Sequence, residues 1–141
     1  MNHSISIAFG TPEHGWLPVS FRFQDFELNF AASDVLNDPI EELYNAITKL
    51  CENYTRQIIW WLEPAAYYFD LDKNGQEITL TISETDNIHY EKTEKRVLQT
   101  IIGDENGILK PLVSALKDFC SQTYPENHWP YRMDKNKIQS L

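Results

Sequence analysis

The chain has 141 residues, of which 42% are hydrophobic and 13% aromatic, and its net charge is −9. That length fits one domain with a sizeable core, and the aromatic content argues against disorder. The acidic balance repels phosphate backbones, which sets nucleic-acid binding aside, and no apolar run approaches the ~18 residues that a membrane span needs.

The acid is unevenly spread. Residues 13–91 hold 15 Asp/Glu and 4 Lys/Arg, a net −11, and the remainder carries +2. A field of this kind keeps a protein soluble and can steer a basic partner. The two cysteines, Cys51 and Cys120, fall among apolar neighbours in predicted helices and read as buried thiols. The first residues, MNHSISIAF, show no basic leader pattern. The expected setting is the cytoplasm.

In chain order, Ser4–Phe9 alternates polar and apolar residues and predicts a strand. A turn cluster over 11–15 follows. Trp16–Phe23 and Phe26–Ala31 predict a hairpin about Gln24-Asp25, pairing Phe23 with Phe26, Phe21 with Leu28 and Val19 with Phe30 on one apolar face. Asp38-Pro39-Ile40-Glu41 opens a helix: Asp38 can accept from first-turn amides and Pro39 suits the first helical position. Ile40, Leu43, Ile47 and Leu50 continue its stripe, and the helix is expected to end near Asn53.

Residues 58–82 predict three antiparallel strands. Asn74-Gly75 is the strongest turn signal in the chain. Centred there, a two-residue loop pairs Leu71 with Ile78, Phe69 with Leu80 and Tyr67 with Ile82. The opposite face then carries Tyr68, Asp70, Asp72, Glu77, Thr79 and Thr81. Glu63-Pro64-Ala65-Ala66 reads as a turn with Pro second. An even loop there puts Ile58, Trp60 and Leu62 on the apolar face and Ile59 and Trp61 beside Tyr68, and an odd loop exchanges the two Trp residues. Residues 85–95 are polar and read as a loop or a long hairpin tip, 96–102 as a strand, 103–107 as a loop and 108–122 as a second helix.

The expected architecture is α+β: a mainly antiparallel sheet of about six or seven strands with two helices in the order βββαββββα, each helix covering a side of the sheet. Residues 1–141 form a single domain, with a partly irregular tail from about 124 in which Tyr124, Trp129 and Tyr131 tie the chain to the body.

Chemistry-bearing motifs are sparse. His3, His14, His89 and His128 lack metal-ligand spacing, and nucleophile-elbow, phosphate-loop and dinucleotide motifs are missing, so no metal or cofactor is expected. Asp70, Asp72 and Glu77 could share acid–base work only if burial raised one pKa, and a wet face offers no burial. Trp61 and Tyr68 amid these acids read as a protein-binding patch, because both side chains offer rigid contact area with a polar tip. The candidate partner-binding set is therefore Trp61, Tyr68, Asp70, Asp72 and Glu77. The alternative is a small-ligand pocket between sheet and helix lined by Trp16, Trp60, Tyr67 and Phe69.

Four stretches carry a resemblance. They are His14-Gly15-Trp16 before a strand; Ser33, Asn37-Asp38-Pro39 and Leu43 into a helix; Trp60-Trp61, Glu63-Pro64 and Tyr67 into a hairpin; and Tyr124 with Trp129 after the last helix. Together they resemble a group of small, functionally unassigned bacterial proteins, some similar to immunity proteins of polymorphic toxin systems. The resemblance implies no cofactor and no active site. With the acidic field it points to a non-enzymatic protein that neutralises a basic toxin, with homodimerisation left open by the sheet edges.

Overall fold

The computed structural model describes residues 4–89 and 94–141. Its strands are β1 (Ser6–Phe9), β2 (Trp16–Phe23), β3 (Phe26–Ser33), β4 (Arg56–Trp61), β5 (Ala66–Asn74), β6 (Glu77–Thr85) and β7 (Arg96–Gly103). Its helices are α1 (Pro39–Thr48), α2 (Lys110–Cys120) and a short α3 (Lys135–Gln139), with a π-helical turn, Glu105–Leu109, leading into α2. The fold is α+β and all strand ladders are antiparallel, as expected, but they form two sheets, β1-β2-β3 and β4-β5-β6-β7.

The β2–β3 hairpin has the expected register, Val19↔Phe30, Phe21↔Leu28 and Phe23↔Phe26, with Gln24 in the left-handed region (φ 54°). β4 and β5 pair Ile58 with Phe69 and Trp60 with Tyr67 across a four-residue connection, 62–65. The even loop sends Trp60 into the core, where it is fully buried. Leu62 N–H closes the turn on the Ala65 carbonyl, so Pro64, preceded by a cis peptide, is third in the turn rather than second.

The β5–β6 turn corrects a second expectation. The loop is Gly75-Gln76, with a positive φ at Gly75 only, so Asn74 pairs with Glu77, Leu71 with Leu80, Phe69 with Ile82 and Tyr67 with Glu84. A positive φ at the first loop position alone suits a type II′ turn with glycine first. The slip is one residue on each strand, so every side chain keeps its expected face while every partner changes.

The two apolar sheet faces cover each other. Phe21 packs edge-on against Phe69 at 5.4 Å between centroids, Phe30 against Trp60 at 5.8 Å and Tyr67 at 4.9 Å, and Phe9 against Trp60 at 5.8 Å. The expectation that helices cover the central sheet is thus corrected: most of that role falls to the first hairpin. The helices lie at the flanks, α2 against β1 and α1 against β4. Asp38 caps α1 as read, accepting from Ile40 N–H (3.1 Å) and Glu41 N–H (3.3 Å). The helix stops at Thr48, earlier than expected, because residues 51–54 make a tight turn with Asn53 in the left-handed region (φ 73°). Cys51 therefore lies in that turn and not in a helix. The tail is tied down by Trp129, fully buried, and by Tyr131, whose hydroxyl donates to the Asp34 carbonyl.

Candidate protein-binding face

Side chains on a strand alternate between faces, so Tyr68, Asp70 and Asp72 share the outer face of the four-stranded sheet with Gln57, Ile59 and Trp61 of β4 and Thr79, Thr81 and Ser83 of β6. Three of the five expected residues are thereby brought together in one row. Glu77 keeps that face at the start of β6 but stands beyond the row. The shifted register puts it opposite Asn74 at the hairpin tip, exposed, while Thr79 stands opposite Asp72.

Trp61 is on the expected face but is only 8% exposed. The segment after β6 folds back over it: Ile88 N–H donates to the Pro64 carbonyl at 2.8 Å, and the His89 ring stands perpendicular to the Trp61 ring at 5.4 Å. As a contact residue Trp61 is corrected to a packed one. Covering so large an apolar ring removes its area from water, which outweighs leaving it free.

The row from Tyr68 to Asp72 is internally bonded. Asp70 accepts from Gln57 Nε2 at 2.9 Å and from Lys95 Nζ at 3.0 Å. The same ammonium lies 4.5 Å from the centroid of the Tyr68 ring, a cation–π position. Asp72 accepts from the Thr55 hydroxyl. Asp70 keeps 13% of its side chain exposed and Lys95 keeps 42%. Below Trp61, Arg96 bridges Glu84 at 3.2 Å and Asp86 at 2.7 Å, and its hydrogen bond holds the Asp86 carboxyl below the usual range.

Lys95 escaped the sequence reading because it belongs to a polar connection with no periodicity. Val97 and Ile102 escaped it too. They are 63% and 58% exposed on β7 and reach the same outer face through a bulge. Ile102 is opposite Thr79, whereas Val97 is opposite Ser83 only because the ladder skips a residue between Ile82 and Ser83. Two residues of unlike parity thus share a face, a result that strict alternation forbids.

The residues of the alternative pocket do not enclose one. Trp60 and Phe69 are fully buried and packed ring to ring at 5.5 Å, and Tyr67 is filled against by Phe30. Trp16 belongs to the other sheet, paired with Ser33, on the face of Pro18 and Ser20. Among the described residues, cavities lie beside Cys120, Tyr124 and Arg132, between the β5–β6 tip and the π-turn, and along α1 and β4. Among the described residues no group of three His, Cys, Asp or Glu is placed to hold a metal ion.

Two carboxyls with raised pKa lie away from this face, at the start of α1. Burial lifts Asp38 to about 6, against the opposing pull of two backbone hydrogen bonds. Burial likewise raises Glu42, whose Oε1 accepts from Ile59 N–H at 2.8 Å. Both serve the backbone as acceptors, and that use accounts for their position.

What the fold and this face define is an α+β protein of two facing antiparallel sheets with a bonded row of aromatic, acidic and amide groups on one outer surface. No protein-family model, curated protein or solved structure matches the chain.

Proposed function

We propose that the protein is a non-enzymatic, cytoplasmic binding module whose outer sheet face takes a basic protein, in the manner of an immunity protein that neutralises a toxin. The observation that carries this reading is the Lys95 ammonium against Asp70 and Tyr68. A carboxylate and an aromatic face already converge on one cation, with the Gln57 amide donating to the same carboxylate. An arginine or lysine of a partner meets the same carboxylate and ring by replacing Lys95. The net charge of −9 favours encounter with a basic surface. No helix among the described residues is long and apolar enough to cross a membrane.

The test is a matched capture from the native cells, using the unaltered chain and the Tyr68→Ala/Asp70→Asn variant as baits. A protein retained by the first and lost by the second, with association slowing as salt rises, supports the face. Equal retention by both baits removes it. The small-ligand reading has no comparable support, since its four residues are either packed in the core or in different sheets.

A further inference from the structure

Sheet edges offer unpaired backbone groups to other chains, and proteins commonly cover them. Three edges here lie against other elements. β1 lies against α2, and β3 approaches β4. β4 is closed at Ile59, whose N–H donates to Glu42 Oε1 and whose carbonyl accepts from Asn37 Nδ2 at 2.8 Å. β7 pairs with β6 on one side, no other strand among the described residues pairs with its outer side, and its further neighbour is the π-turn that follows it in the chain.

The direction of the β7 backbone follows from Ile59. In an antiparallel ladder, successive residues bond to alternate sides. Ile59 bonds away from β5, so its partner Tyr68 bonds toward β6, and Ser83 opposite Tyr68 bonds back toward β5. Ile82 and Leu80 therefore bond toward β7, to Gln99 and Ile101. This leaves the N–H and C=O of Thr100 and Ile102 directed outward.

The strand's sequence is self-complementary when turned end for end. It is flanked by Lys95-Arg96 before and Asp104-Glu105 after, with no charge and no proline between. We propose that two copies of this chain pair antiparallel through β7 about a two-fold axis at Thr100, joining the two four-stranded sheets into one of eight strands. The two Thr100 residues then exchange N–H···O bonds. Lys95 and Arg96 of each copy lie along Asp104 and Glu105 of the other, whereas a parallel pairing sets like charges together. The bulge before Gln99 brings Val97 opposite Ile102 of the second copy, so the exposed apolar side chains at this edge cover each other on the outer face. The geometry also sets two Tyr68–Asp70 rows on the same side of one sheet.

Sedimentation velocity over a wide protein concentration range tests this, with Thr100→Pro and Ile102→Lys as variants. A proline at Thr100 removes only an outward N–H, which an edge strand tolerates. The expected result is a concentration-dependent doubling of mass in the native chain. Thr100→Pro stays monomeric with an unchanged circular dichroism spectrum, and Ile102→Lys weakens association by about tenfold or more, the equivalent of roughly 1.4 kcal/mol. A native chain that stays monomeric throughout overturns the proposal, including the case in which β7 accepts a strand from a different protein. So does a dimer that both variants leave intact. If Thr100→Pro fails to fold, Ile102→Lys, a change to an exposed side chain, decides the matter alone.

Discussion

Glu42 of α1 accepts the backbone N–H of Ile59 at 2.8 Å, standing where a neighbouring strand's carbonyl would stand. Asn37 Nδ2 completes the imitation by donating both to the Ile59 carbonyl at 2.8 Å and to Glu42 Oε2 at 2.9 Å. Two side chains thereby close a sheet edge with the hydrogen bonds of a single strand residue. Removing the acceptor leaves a half-buried N–H unpaired, which costs about 1–3 kcal/mol. Glu42→Ala is expected to lose that much in urea unfolding, while Glu42→Gln, which keeps the acceptor for Ile59 and sheds a buried charge but turns an amide N–H toward Asn37 Nδ2, is expected to lose less.

The raised pKa of Asp38 gives a pH dependence with a definite sign. Its folded value of about 6 stands above the ordinary 3.8. The folded state therefore holds the proton more tightly than the unfolded state. The resulting stability is fully present below the unfolded value and is lost as pH rises through the folded one. Asp38→Asn keeps a capping oxygen and has no charge to desolvate. Thermal melts are expected to show the variant above the native chain at neutral pH and the two converging at about pH 3, where the native carboxyl is neutral in both states. A constant difference across that range would falsify burial as the cause.

Trp61 and Tyr68 separate packing from contact. With the His89 ring against it and 8% exposure, Trp61 behaves as core. Trp61→Ala is expected to cost about 3 kcal/mol through the cavity it leaves. Tyr68 is half-buried and its ring meets a solvent-facing ammonium, so Tyr68→Ala is expected to cost about 1 kcal/mol or less. Equilibrium denaturation of the two variants checks the order, and a reversed order removes Tyr68 from consideration as a surface residue.

Gly15 and Gly75 both have positive φ, 84° and 62°, but differ in the space around them. A Cβ at Gly75 meets nothing within 4 Å, whereas one at Gly15 stands 2.9 Å from Asp34 Oδ1. Gly75→Ala carries only the left-handed penalty of about 1–2 kcal/mol. Gly15→Ala carries that penalty and also displaces Asp34, whose own N–H is bonded to the Gly15 carbonyl at 3.0 Å. Melting temperatures of the two variants should rank Gly15→Ala lower.

Much of the candidate face was legible because period-two alternation survives errors of register. The loop at Gly75-Gln76 lies one residue beyond the position that Asn74-Gly75 suggests, yet Tyr68, Asp70 and Asp72 stay on one face because both strands slip together. Glu77 keeps its face for the same reason, but its partner is Asn74 and not Asp72, because pairing depends on the register and not on alternation. Lys95 could not be found, because its contact with Asp70 spans 25 positions and no local pattern encodes it.

The sequence by itself determined the seven strands, the Asp38 cap, the first hairpin's pairing and the split of residues 67–82 into apolar and polar faces. These follow from local rules: alternation, capping geometry and turn preference act over a few residues. Only the tertiary structure decided that the strands form two sheets, that the sheets cover each other's apolar faces, and that Trp61 lies under the segment carrying His89. An apolar face must be buried, but its pattern is the same whether a helix or another sheet covers it. Which surface arrives there depends on the path of the whole chain.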